Sequence, residues 1–154
     1  MTKAGFYHLT RSPLEQALPR LLERARAAGH KIVVMTGSAE RTAAIDNLLW
    51  TFDPASWLPH GTPRDGDAPL QPILITEADE NPNAADMLVL LDGVTSTRID
   101  GFARCAVVFD GNDEQAVTGA RALWAEWKDK GFALAYHQQT ERGGWEEKAS
   151  ANVP

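Results

Sequence analysis

The side chains best suited to recognition chemistry lie on the last predicted helix, at about residues 113–130. Four of them recur at spacings of four, three and four residues and share one stripe of the helix: Val117, Arg121, Trp124 and Lys128. An arginine can hold a carboxylate through two parallel hydrogen bonds, while a neighbouring indole supplies apolar contact. The stripe therefore indicates a pocket for a short acidic ligand with an apolar end.

The same stripe has a purely structural interpretation. It adjoins an ordinary apolar face with the same spacings, formed by Ala116, Ala120, Leu123 and Trp127. Trp124 would then widen the core, and the aliphatic stem of Arg121 would lie over it. Lys128 and Lys130 would suit the negative end of the helix dipole. The pattern alone leaves both interpretations open.

A second candidate is the turn Thr36-Gly37-Ser38, which follows a predicted strand and opens a helix. In α/β folds such a turn can hold phosphate at the helix N-terminus. A nucleotide- or phosphate-binding enzyme is therefore one hypothesis. The turn has a single glycine and lacks the Lys-Ser/Thr of a P-loop, so it is also typical of a plain connection.

Other signatures of catalysis do not occur in the sequence. There is no Gly-x-Ser-x-Gly motif, and the four histidines have no metal-ligand spacing. The single cysteine, Cys105, lies in an apolar run, where cysteine usually serves as a small core residue. We therefore predict no catalytic residues, no metal and no cofactor.

Composition narrows the class of protein. The chain has 154 residues, of which 44% are apolar and 23% are charged. This length and composition are typical of one globular domain. A net charge of -6 argues against direct nucleic-acid binding. One cysteine excludes an internal disulfide and fits a reducing compartment. No apolar run approaches the roughly 20 residues that span a bilayer. We expect a cytoplasmic protein without membrane contact.

Strand and helix patterns alternate along the chain. Short apolar runs predict strands at 5–9, 31–35, 73–76, 86–91, 105–109 and 132–137. Helical spacing predicts helices at about 14–28, 38–50 and 113–130. Short connections between them imply a Rossmann-like three-layer α/β domain, with a mostly parallel central sheet and helices on both faces. We assign residues 1–137 to this domain and expect 138–154 to form a flexible tail.

The predicted start of the first helix has several local signals. Ser12 can cap it, Pro13 suits the first helical position, and Glu15 can complete a capping box. Pro19 should bend or shorten the first turns. Gly29 should end the helix, and Ser38 should cap the second one.

Two tryptophans, Trp50 and Trp57, stand where the second helix gives way to a proline-rich loop at 54–72. Loops run over the surface, so large aromatics here either fold back onto the core or face a partner. The pattern alone does not separate these outcomes.

Short motifs along most of the chain resemble the chi subunit of bacterial DNA polymerase III, an accessory protein of the clamp-loader assembly. These motifs are Phe6-Tyr7, a Leu-rich helix, Gly29-His30-Lys31-Ile32-Val33-Val34, Leu49-Trp50, Ser56-Trp57-Leu58-Pro59-His60, Ala120-Arg121, Trp124, Trp127-Lys128 and Gly131-Phe132. The resemblance implies a Rossmann-like domain without nucleotide or catalytic activity.

The resemblance also implies two partners. One is the acidic C-terminal tail of single-stranded-DNA-binding protein, which ends in an aromatic residue and a free carboxylate. Arg121 matches the arginine that pairs with this tail, and Trp124 matches an aromatic that lines the pocket. Ala125 departs from the pattern because relatives can carry a lysine there; either Lys128 or Lys130 compensates, or the affinity for the tail is lower.

The second implied partner is the psi subunit of DNA polymerase III, or a helicase in some bacteria. Trp50 and Trp57, with Pro59, match the aromatic surface that receives it. We expect Trp50 to be partly packed and Trp57 to be more exposed. A plain scaffold would instead bury Trp50, Trp57 and Trp124.

Overall fold

Strands and helices alternate in the computed structural model, which describes residues 2–53 and 55–153. Within these residues the strands are β1 Lys3–Leu9, β2 Ile32–Met35, β3 Ile73–Thr76, β4 Met87–Leu90, β5 Arg104–Asp110, β6 Ala133–Gln139 and β7 Trp145–Ala151. The α-helices are α1 Leu14–Ala27, α2 Ala39–Thr51 and α3 Glu114–Asp129. No helix in the described ranges is long and apolar enough to cross a membrane.

The strands form one sheet in the order β3-β2-β4-β5-β1-β6-β7. Every neighbouring pair is parallel except β6 and β7, which are antiparallel. Helices cover both faces, so the prediction of a three-layer, mostly parallel α/β domain is confirmed. Strands β2 and β3 consist almost entirely of apolar residues because both of their faces are buried.

Alternate residues of the strands build two cores. On one side, which we call the α1/α2 face, Leu22 of α1 and Ile45 of α2 pack over the sheet. On the other side, the α3 face, Trp127 packs over it with Phe6 of β1. This alternation places neighbouring residues of β1 on opposite faces, with Tyr7 on the α1/α2 face.

Two helix termini follow the local signals in the sequence. Ser38 caps α2, and its side chain accepts a hydrogen bond from the Arg41 amide at 3.2 Å. Gly29 follows the end of α1 with a φ of 91°, a left-handed conformation that glycine adopts without strain.

The predicted cap of α1 is wrong. The N-cap position is Pro13, and Ser12 instead accepts a hydrogen bond from Gln139 at 2.6 Å. The side-chain Oε1 of Gln139 accepts hydrogen bonds from the backbone amides of Arg11 and Ser12, both at 2.9 Å. A side chain from the end of β6 thus satisfies the amides that precede α1. Pro19 lies inside α1 without shortening it, since the helix runs unbroken from Leu14 to Ala27.

The expectation of a flexible tail at 138–154 is also wrong, because Trp145–Ala151 forms β7 and pairs with β6. Gly143 has a φ of 83° and helps to turn the chain between the two strands. The charged residues 146–148 stand on a sheet edge, where charge discourages pairing with other chains. Glycines and charges that suggested disorder therefore belong to a hairpin turn and a protected edge strand.

Candidate functional site

The stripe on α3 combines an exposed cation with an anchored indole. Arg121 is exposed, whereas Trp124 is half-buried. The Trp124 ring contacts Phe6 edge-on, with 5.4 Å between ring centroids, and Tyr136 at 5.9 Å. Val117 is half-buried against the same core. Trp124 therefore extends the core, as the structural interpretation expects, while its exposed part lies on the same helix stripe as Arg121.

Two residues near Arg121 were not found from the sequence. His8 Nδ1 and the Tyr136 hydroxyl lie 2.6 Å apart, within hydrogen-bond distance. Burial and the nearby Arg121 charge lower the pKa of His8, which favours its neutral imidazole. Burial raises the pKa of Tyr136, and Arg121 offsets part of that effect. The period-two alternation of β1 places His8 on the same face as Phe6, a signal that could have identified it.

The two lysines considered as replacements for a cation at position 125 differ in their surroundings. Lys130 forms an ion pair with Glu126 at 3.4 Å. Lys128 is exposed and has no ion pair within the described part of the chain. Ala125 is itself exposed on α3. Lys128 is therefore the freer of the two cations to meet an acidic ligand.

A second surface is built around Trp50 and Trp57. Trp57 is 79% exposed and Trp50 58% exposed, which confirms the expected order of exposure. The Trp50 ring packs on the buried His60 imidazole, with 4.4 Å between centroids. Pro59 is half-buried between the buried residues Leu58 and His60. The plain-scaffold hypothesis, which requires both tryptophans to be buried, is wrong for this pair.

His60 holds the loop that carries Trp57 in place. Its Nδ1 lies 2.7 Å from the Leu58 carbonyl oxygen, and its Nε2 lies 3.1 Å from the Asp46 carbonyl oxygen of α2. Leu58 packs into the core on the α1/α2 face. Leu58 and His60 thus anchor this segment to the domain, and Trp57 projects from the anchored segment.

The turn Thr36-Gly37-Ser38 is occupied by side chains of the protein itself. An Asp92 carboxylate oxygen accepts the Gly37 amide at 3.0 Å, and Asp92 also pairs with Arg41 at 3.2 Å. A carboxylate already stands where a phosphate would bind at the start of α2. This arrangement favours the interpretation of the turn as a connection.

A cleft of about 690 Å³ lies beside this turn at the carboxyl ends of β1 and β5. Its arginines are Arg11, which pairs with Glu141 at 3.1 Å, and Arg41, which pairs with Asp92. Because both arginines are neutralised, the cleft is poorly suited to an anion. Cys105 is buried in β5, and burial raises the pKa of its thiol, which confirms it as a core residue.

The strand order and the helices on both faces define a doubly wound α/β domain that carries exposed aromatic and basic side chains. A family model described as "DNA polymerase III chi subunit, HolC" matches residues 1–135. The chain belongs to this family of DNA polymerase III chi subunits. The match ends within β6, so β7 lies beyond it.

A curated relative supports the same assignment. The chain is similar to a "Probable DNA polymerase III subunit chi" of Rickettsia prowazekii (strain Madrid E), with 29% identity over 99 residues. The similarity covers 64% of this chain and 60% of the relative, less than two thirds of either protein. The resemblance noted from the sequence motifs is confirmed at the level of the family.

Proposed function

We propose that this protein is a non-catalytic accessory subunit of DNA polymerase III that binds the acidic C-terminal tail of single-stranded-DNA-binding protein. In this role it links that protein to the clamp-loader complex during replication. Family membership supports association with DNA polymerase III. The observation that carries the tail-binding proposal is the exposed Arg121 beside the anchored Trp124 ring.

The chemistry of this surface fits such a tail. Arg121 would pair with the terminal carboxylate, and Trp124 with Val117 would receive the terminal aromatic side chain. Lys128 would attract the acidic residues before it. Trp124 is already held by Phe6 and Tyr136, so little side-chain freedom would be lost on binding. We expect roughly micromolar affinity, about -8 kcal/mol, which weakens as salt screens the charges.

We assign the second partner to the surface of Trp50, Trp57 and Pro59. The exposed area of Trp57 supports this assignment, since aromatic anchors are enriched at the centres of interfaces. The proposed partner is the psi subunit or, in its place, a helicase.

A peptide titration tests the tail-binding proposal. A fluorescently labelled acidic peptide that ends in Pro-Phe with a free carboxylate should bind the protein, as measured by anisotropy. Arg121→Ala should weaken binding by about 1.5–3 kcal/mol, the scale of a hydrogen bond to a charged group. Arg64→Ala is the matched control, because it removes the same charge from an exposed turn elsewhere.

The carboxylate contact can be tested separately. The same peptide with an amidated C-terminus should bind the native protein as weakly as the free peptide binds the Arg121→Ala variant. Equal binding of both peptides, or an equal effect of Arg121→Ala and Arg64→Ala, would show that Arg121 does not hold the carboxylate.

A further inference from the structure

On the α1/α2 face, beside α1, the sheet carries an open trough over β1, β5 and β6. It consists of two adjoining clefts of about 330 and 190 Å³ that share Tyr7, Arg104 and His137. The clefts lie on the side of the sheet opposite to Arg121 and Trp124. The proposed tail site therefore does not include them.

Three aromatic rings from three neighbouring strands stand at this trough. Tyr7 of β1 and His137 of β6 are partners in the sheet, and their rings stack with centroids 5.0 Å apart and planes at 22°. Trp145 of β7 meets Tyr7 edge-on at 5.2 Å. All three residues are half-buried, so each keeps part of its ring at the surface. They form an aromatic platform on an open sheet.

The trough also gathers cations. Lys3 of β1 and Arg104 of β5 are partners in the sheet, and both precede a residue of the α3 face, so both side chains stand on the α1/α2 face. Like charges at adjacent positions of a sheet repel each other. Arg24 of α1 lines the same trough. None of the three forms an ion pair within residues 2–53 and 55–153.

The charge of the trough differs from that of the whole protein. The chain has 21 acidic and 15 basic residues, yet no Asp or Glu is among the described residues that line the two clefts. Two carboxylates lie next to the lining residues: Glu147, which faces His137 from β7, and Asp86, whose Oδ2 lies 2.7 Å from Nδ1 of His30. An anion at Lys3, Arg104 and Arg24 would relieve the repulsion between these cations.

We propose that this trough binds single-stranded nucleic acid. Such a strand carries both features that the trough would recognise, a row of negative charges and planar bases that stack on aromatic rings. Aromatic side chains on neighbouring strands of an open sheet are a recurrent platform for unpaired bases. The net charge of -6 argues against tight binding of a nucleic acid by the protein as a whole. The lining of the trough differs, because it carries cations and no Asp or Glu. The proposal is independent of the function of Arg121.

The salt dependence of binding tests the role of the cations. A fluorescein-labelled oligothymidylate of about 12 nucleotides is titrated with the full chain at several salt concentrations, with anisotropy as the readout. Three phosphate contacts predict a slope of log affinity against log salt near -2, at about 0.7 per contact. The double variant Lys3→Ala/Arg104→Ala should bring the slope to about -0.7 and weaken binding roughly tenfold at low salt. The double variant Arg64→Ala/Arg98→Ala controls for the same loss of charge.

The aromatic platform is tested with two variants of Trp145. Trp145→Ala should weaken binding by about tenfold through lost stacking, whereas Trp145→Phe should retain most of the affinity. Circular dichroism establishes whether each variant is folded. If the Ala variant does not fold, the Phe variant still tests the contribution of the ring. Arg121→Ala should leave oligonucleotide binding unchanged, and Lys3→Ala/Arg104→Ala should leave tail-peptide binding unchanged. These crossed controls distinguish a failure of the proposed nucleic-acid site from a failure of the proposed tail site.

Three outcomes would overturn the proposal. One is the absence of oligonucleotide binding at low salt. Another is binding that the trough and control variants weaken equally. The third is equal competition by a polyglutamate peptide of matched charge, which would show that the trough takes an acidic peptide and not a nucleic acid.

Discussion

Replacing Trp57 with alanine should separate docking from folding. The Trp57 side chain is 79% exposed, so its removal takes little area from the core, and the free energy of unfolding should change by less than about 0.5 kcal/mol. A buried tryptophan removes up to about 250 Å² from water. A partner that covers the exposed part of Trp57 would therefore bury about 200 Å² of it.

The effect on binding should be much larger than the effect on stability. At about 25 cal/mol per Å², 200 Å² corresponds to an upper limit near 5 kcal/mol. The entropy lost on association reduces this figure, and aromatic anchors at interfaces commonly contribute about 2–4 kcal/mol. We therefore expect Trp57→Ala to weaken docking by about 30-fold or more.

Isothermal titration calorimetry with the psi subunit or the helicase from the same organism measures the affinity of each variant. Urea unfolding measures the stability of each variant. Leu70→Ala is the matched control, because Leu70 is 77% exposed and lies outside the proposed surface. Equal losses of affinity in the two variants would refute the assignment of Trp57 as an anchor. A loss of stability above about 1 kcal/mol would refute the reasoning from exposure.

The remaining predictions concern stability. Burial disfavours the charged form of Asp79, but hydrogen bonds from Ser96 and Thr97 outweigh it and lower the pKa of Asp79. This contribution is present above about pH 4 and is lost as the pH falls through the lowered value, so Asp79→Asn should flatten the acid limb of the stability curve in urea titrations. Gln139→Leu should destabilise the protein by about 1–3 kcal/mol in urea unfolding, because the partly buried amides of Arg11 and Ser12 lose their acceptor. Ending the chain before β7 should lower the thermal midpoint, since β6 would become an exposed edge; an unchanged midpoint would show that β7 does not stabilise the sheet.

Local signals in the sequence predicted much of the fold. The continuous apolar run at 31–35 predicted a strand buried on both faces, and Ser38 predicted the cap of α2. These features depend on residues close together in the chain, so periodicity and side-chain chemistry suffice. The exposure of Trp57 followed from its place in a loop, together with the resemblance to the chi family.

Long-range contacts were beyond such signals. Gln139 satisfies amides just before α1 from more than one hundred residues away in the sequence. No local pattern could therefore predict that Gln139, and not Ser12, has this role. The contact between His8 and Tyr136 spans 128 positions and depends on the pairing of β1 with β6. Strand β7 was missed because edge strands carry charges that also characterise disordered segments.

The placement of Trp57 and Arg121 on opposite layers of one rigid sheet has a consequence for assembly. A tail bound at α3 would not obstruct a subunit docked beside α2, so both proposed partners could be held at once. The two contacts would act in series, so the bridge between the partners lasts only as long as the shorter-lived contact. Single-stranded-DNA-binding protein could then exchange at α3 while the chain stays docked on its other partner.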